Sequence, residues 1–213
     1  MTKKLAIIGA GGLGREVAWL VERINRISPV WEIAGFIDRN IQLIGQTIGN
    51  YPVLGGNEWI MAHRQDTYAV CAIGSARIRK GIVRELAGVK YATLVDPSVI
   101  ISDRVAMGEG CILCAGSVLT VDIRLGSHVV LNPDCKIGHD AVLGDYVTLY
   151  PSVNISGNTE LGECVEMGVG SMVLQGLKIK EGTIIGAGAV VIDNLPEACT
   201  AVGVPAKPVK FHD

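Results

Sequence analysis

Residues 95–191 read, in sixes, VDPSVI ISDRVA MGEGCI LCAGSV LTVDIR LGSHVV LNPDCK IGHDAV LGDYVT LYPSVN ISGNTE LGECVE MGVGSM VLQGLK IKEGTI IGAGAV V. Each group opens on Val, Ile, Leu or Met, from Val95 through Leu113, Leu131, Leu149 and Met167 to Val191. In ordinary sequence such residues fill about a third of positions, so an unbroken series of this length is not chance. A fixed six-residue period predicts a parallel β-helix. The residue two before each aliphatic is small, β-branched or modest in bulk, as in Val99, Cys111, Ile123, Ala141 and Leu177. Short strands that alternate their side chains send these two positions inward. Three hexads make one triangular coil, and residues eighteen apart stack at ~4.8 Å. The residue after the aliphatic is Gly at 108, 126, 138, 144, 162, 168 and 186, read as a corner that needs a backbone free of Cβ.

The rest of the chain does not follow this frame. Residues 4–8 predict a buried strand, and Gly9-Ala10-Gly11-Gly12-Leu13-Gly14 follows. Val17, Leu20, Val21, Ile24 and Ile27 then recur at helical spacing, and Glu32–Ile37 predicts a second strand ending at Asp38. A glycine loop between strand and helix lets backbone approach a phosphate at the helix N-terminus, and the acid suits a ribose hydroxyl. A strand near 68–73 and a helix over 76–86 complete about ninety residues, enough for one mononucleotide-binding half and not two. The divisions expected are 1–91, 92–193 and a C-terminal tail, 194–213. In that tail Pro196, Pro205 and Pro208 argue against strand pairing, and the segment is expected to cap the last coil.

Composition narrows the function. The net charge is −2 and Lys and Arg are scattered, which argues against a nucleic-acid partner. Hydrophobic residues make up 49% of the chain and mean hydropathy is +0.38. No apolar run approaches the ~18 residues of a membrane span, so membrane insertion is not expected. The apolar start of the chain ends at Gly9, too short for a signal peptide, and a cytoplasmic protein with reduced thiols is expected. Cys111-x-x-Cys114 stands without a second pair or a nearby His, so no metal site is expected.

Two histidines, His128 and His139, fall on outward positions of the repeat. His139 is followed by Asp140, and the eighteen-residue stacking rule places Gly157 one coil beyond it. An imidazole beside a carboxylate and a spot without a side chain is the arrangement of a general base with room for a ligand. Since adjacent strand residues point oppositely, Asp140 can reach His139 only at a corner or through a bent rotamer.

The motifs Gly9–Glu16, Gly35-Phe36-Ile37-Asp38, Ala72-Ile73-Gly74, Thr93–Ser98, Gly138-His139-Asp140 and Val202–Lys207 occur in this order. Together they resemble the sugar acyltransferases of the sialic-acid O-acetyltransferase (NeuD) and bacillosamine N-acetyltransferase (PglD) type, along essentially the whole chain. The resemblance implies an α/β Rossmann-like half-domain holding a nucleotide sugar. It also implies an all-β left-handed parallel β-helix that forms a homotrimer, with acetyl-CoA between subunits. It assigns His139 as base and Asp140 as the acid that tunes it. Asn132 falls near the acceptor group, and Gly11, Gly12, Leu13, Asp38, Arg39 and Gly74 fall in the nucleotide-sugar pocket. Thr148, Gly157, Val169 and Ala187 fall along the acetyl-CoA path. Two positions depart from the family: Thr148 stands where several members have a second His on the thioester, and Leu13 where a His is common.

The function expected is acetyl transfer from acetyl-CoA to the amino group of a nucleotide-linked amino sugar. O-acetylation of sialic acid or another glycan sugar stays open. So does a non-catalytic sugar-nucleotide-binding protein, which Thr148 keeps in play. A dehydrogenase rests only on the glycine loop and Asp38.

Overall fold

The computed structural model describes residues 2–212. The N-terminal part carries β1 (Lys3–Ile8), α1 (Gly12–Ile27), β2 (Trp31–Ile37), β3 (Thr47–Ile48), β4 (Tyr51–Gly55), α2 (Asn57–His63), β5 (Thr67–Cys71), α3 (Ala76–Glu85) and β6 (Lys90–Tyr91). They form one six-stranded sheet in the order β3-β4-β2-β1-β5-β6, with β1 parallel to both β2 and β5. β1 is apolar on both sides because it is central: Leu5, Ala6 and Ile7 are fully buried. Leu5 and Ile7 pack with Val17, Leu20 and Val21 of α1, while Ala6 and Ile8 meet Ile82 and Leu86 at α3.

From Leu94–Val95 to Val190–Val191 the chain makes one two-residue strand per hexad, stacked in three parallel sheets at eighteen-residue register. This is the left-handed β-helix of hexapeptide proteins. Its core is the pair of inward residues of each hexad, from Cys111 and Leu113 to Ala189 and Val191. The outward residues define three faces. The first (Leu94, Ile112, Val130, Thr148, Glu166, Ile184) is the one on which the N-terminal part docks, since Leu94, Ile112 and Val130 share a buried cluster with α1. The second face carries Ile100, Val118, Lys136, Asn154, Met172 and Val190. The third carries Ala106, Arg124, Val142, Glu160 and Lys178.

The structure specifies what the corner glycines do and corrects the expectation for the tail. The glycines after the aliphatic do not take the left-handed conformation. That conformation recurs two residues later, at every sixth position from Gly110 to Gly188, and Asp122, His128, Asp134, Asp140, Tyr146, Ser152, Asn158 and Cys164 adopt it. The glycines serve close approach instead: a Cβ on Gly138 would lie 2.6 Å from the backbone nitrogen of Gly157 in the next coil. The tail is also more regular than its prolines imply. Cys199–Val202 pairs with Ile184–Ile185, and Lys207–Phe211 adds antiparallel to it. Pro208 is tolerated because its strand is the outermost of that sheet, where a missing N–H costs no ladder bond. No helix among the described residues is long and apolar enough to cross a membrane.

Candidate active site

His139 and Asp140 stand on the corner between the second and third faces. Asp140 has φ +59°, and this left-handed turn swings its carboxylate to the side of its neighbour. Asp140 Oδ2 lies 2.8 Å from His139 Nδ1. With Nδ1–H donating to the carboxylate, Nε2 carries the free lone pair. Gly157 lies directly beyond the ring: a Cβ there would come within 2.6 Å of both Cε1 and Nε2. The imidazole is thus held from one side by a carboxylate and lies along a residue that offers backbone only. Its side chain is 51% exposed, so the Nε2 edge is accessible.

The loop after β1 has the form a phosphate cradle requires. Gly9 has φ +102°, and Gly14 has no space for a Cβ because the Gly9 carbonyl fills it. Gly11 and Gly12 face open space. Asp38 is committed to this loop, accepting from the Ala10 N–H at 2.9 Å through Oδ2 and from Asn40 N–H at 2.9 Å through Oδ1. A crevice of about 210 Å³ opens beside it, lined by Gly9, Asp38, Arg39, Asn57, Ile73 and Ile78. Arg39 pairs with Glu85 across the rim. Leu13 turns the other way and packs on the core under α1.

The remaining residues are distributed over other parts of the prism. Asn132 is buried at the corner between the first and second faces, where its Nδ2 donates to Leu149 O at 2.8 Å. Val169 and Ala187 stack on that same corner, both exposed. Thr148 lies on the docking face, fully buried. Its hydroxyl donates to Gly74 O and accepts from Arg79 Nη2, each at 2.8 Å, so it is engaged within the chain and closed off from the surface, whereas the resemblance sets it along the acetyl-CoA path. Gly74 likewise faces the β-helix, 3.6 Å in Cβ reach of the Tyr150 hydroxyl. A larger cavity, about 450 Å³, lies between α3 and the β-helix among Arg77, Lys80, Arg84 and Glu163, away from the His139 corner.

His128 holds its outward position but is covered by the N-terminal part. It is only 2% exposed, edge-on to Tyr91 and stacked on Tyr146. Burial, helped by the nearby Arg79 charge, pushes its pKa down to about 4. The thiols are buried too: burial raises Cys111 to about 11 and Cys114 to about 12, far from nucleophilic thiolates.

Two groups that hold the parts together escaped the sequence reading. Asp96, quoted above only within the Thr93–Ser98 motif, is buried and binds Arg23 of α1 in a fork, at 2.6 and 2.9 Å. Burial pushes this carboxyl up, but hydrogen bonds from Arg23 and Ser98 outweigh it and hold it below the ordinary carboxylate value. Arg79 is fully buried, with burial pressing its pKa below the usual guanidinium value. A signal was present: Arg79 interrupts the apolar stripe of α3 at Ala76, Ile82 and Leu86.

Comparison with known proteins converges on one group. Residues 4–86 match the model of the PglD N-terminal domain. Perosamine N-acetyltransferase from Caulobacter crescentus, solved as a His-to-Asn variant with CoA and GDP-perosamine, is 28% identical over 99% of this chain and 98% of its own, with a TM-score of 0.90. The acetyltransferase domain of PglB from Neisseria gonorrhoeae, in complex with acetyl coenzyme A, is 30% identical over 98% and 100%, at 0.88. WeeI from Acinetobacter baumannii is 32% identical over 98% and 100%, at 0.87. No curated protein sequence matches the chain.

Proposed function

The chain belongs to the sugar acetyltransferases of the PglD/NeuD type, and from that premise we propose that it moves acetyl from acetyl-CoA to the amino group of a nucleotide-linked amino sugar. The observation that carries this reading is the 2.8 Å His139–Asp140 pair with its free Nε2 edge over Gly157. The sugar nitrogen attacks the thioester carbonyl carbon while His139 Nε2 takes its proton. Backbone N–H groups of the coil near Gly157 meet the developing oxyanion. Collapse breaks the C–S bond, the acetyl stays on nitrogen, and the CoA thiolate recovers the proton from the imidazolium. Asp140 holds the tautomer and balances that charge. No acyl-enzyme is required, in keeping with the buried thiols. An amine acceptor is favoured over a hydroxyl because the Caulobacter relative acts on perosamine nitrogen.

The site needs more than one copy. Gly157 and His139 border one edge of the second face, whereas Asn132, Val169 and Ala187 border the other. The second face also exposes Ile100 and Met172. A cyclic assembly joins unlike edges of neighbouring copies, and three prisms close such a ring. In this homotrimer the nucleotide sugar occupies the crevice at Asp38 and Arg39 with its phosphates on Gly11 and Gly12. Acetyl-CoA lies between copies, along Gly157 of one and Val169 and Ala187 of the next. A cytoplasmic location follows from the donor. The reading is tested by thiol release from acetyl-CoA with a panel of UDP-, GDP- and TDP-amino sugars, the product identified by mass. Absence of sugar-dependent thiol release across the panel would overturn it.

A further inference from the structure

Thr148 and Arg79 meet at one carbonyl, that of Gly74, and the residue before it, Ile73, lines the crevice beside Asp38. Thr148 Oγ1 donates to Gly74 O at 2.8 Å; Arg79 Nη1 donates to the same oxygen at 3.0 Å and to Ile73 O at 2.5 Å. The guanidinium goes on to Tyr146 O at 2.7 Å through Nη2 and to His128 O at 3.0 Å through Nε. Those two acceptors stand one coil apart on the corner between the third and first faces. One side chain therefore ties the turn between β5 and α3 to two rungs of the β-helix. Glu166 adds a second tie, its Oε1 accepting from Ala76 N–H at 2.8 Å where α3 begins without a cap from Ser75. At its other end the turn is part of the crevice: the Ile73 side chain lines it, and Ile73 Cδ1 occupies the space a Cβ on Gly9 would take, at 2.7 Å.

We infer that Thr148 is a positioning residue for the nucleotide-sugar side of the reaction, and not a contact of the acyl donor: with Arg79 it sets the height of the 73–75 turn above the β-helix and so the position of the crevice wall. The inference rests on the proposed function, which places a nucleotide sugar in that crevice. A threonine suits the task because one short, buried hydroxyl both donates to Gly74 O and accepts from Arg79. Valine has the same outline with neither capacity.

The two roles separate by which ligand is affected. UDP, GDP, TDP and CoA are titrated individually by calorimetry into the full-length wild type, Thr148→Val and Thr148→Ser, with Thr148→Ala as the hydroxyl-free variant should valine prevent folding. Loss of a net hydrogen bond of about 1–1.5 kcal/mol corresponds to roughly tenfold weaker binding of whichever nucleoside diphosphate the wild type takes. Thr148→Ser is expected to restore that affinity, and CoA affinity is expected to stay at the wild-type value in all variants. Weakened CoA binding, or unchanged nucleotide binding without the hydroxyl, overturns the inference while leaving the proposed function intact. A wild type that binds none of the three nucleoside diphosphates overturns both.

Discussion

His128 and His139 stand eleven residues apart on corners of the same prism, and their surroundings are opposites. His128 lies under the N-terminal part, its Nδ1 without a hydrogen-bond partner among the described residues, with Tyr91 edge-on at 4.6 Å and Tyr146 stacked at 5.3 Å. His139 stands on a bare corner with a carboxylate at 2.8 Å. Each ring also approaches a glycine, Gly110 for His128 and Gly157 for His139. They do not hold the same place in the hexad: His128 takes the left-handed position that Asp140 takes beside His139. They differ in cover as well, and cover decides whether an imidazole is packing or chemistry.

The largest expected effect is on His139. Replacing it with Ala is expected to lower kcat by at least ~10²-fold, the usual loss when a general base is removed. His128→Phe, which keeps a stacked ring, is expected to leave turnover near wild type; similar losses in both variants would collapse the distinction. The glycines sharpen it further. Gly157→Ala pushes a methyl into the His139 ring from the side, and a displacement near 1 Å can cost up to ~10²-fold in turnover with little change in Tm. Gly110→Ala meets a φ of +71° as well as the buried ring, and is expected to destabilise the fold by about 1–3 kcal/mol with turnover retained. Thermal melting beside steady-state rates separates the two. Arg79→Met leaves several buried carbonyls without a donor at ~1–3 kcal/mol each, so a marked fall in Tm is expected.

The smallest effect is on pH dependence. Unfolded, His128 takes a proton near 6.5, whereas in the fold burial holds its pKa at about 4. Between those values the unfolded chain binds a proton that the native chain refuses, so stability falls as pH drops from 6.5 to 4. In His128→Phe the slope of Tm against pH over this window is expected to flatten. An unchanged slope would assign the acid sensitivity to other groups.

Much of this was legible in the hexads. The six-residue period specifies the inward residues, the eighteen-residue register and the juxtaposition of His139 with Gly157, because stacking along a β-helix is local and repetitive. The period does not report which residue of each hexad bears the left-handed turn. That turn brings Asp140 beside His139, and it lies two residues past the glycines that drew attention. The burial of His128 was not legible either, because it depends on a domain whose docking face the repeat leaves unmarked.

What the amino-acid sequence determined alone is the part governed by short-range physics: strand, turn and helix patterns, a glycine cradle, and an imidazole beside an acid. The tertiary structure decided what depends on distant segments meeting. Asp96 is a buried ion pair only because α1 lies over it. Thr148 is closed off only because the turn at Gly74 descends onto it, and Arg79 is buried because two coils supply carbonyls in the positions its five N–H groups require. Such contacts join residues some fifty to seventy-five positions apart, and no local pattern encodes which of them will touch.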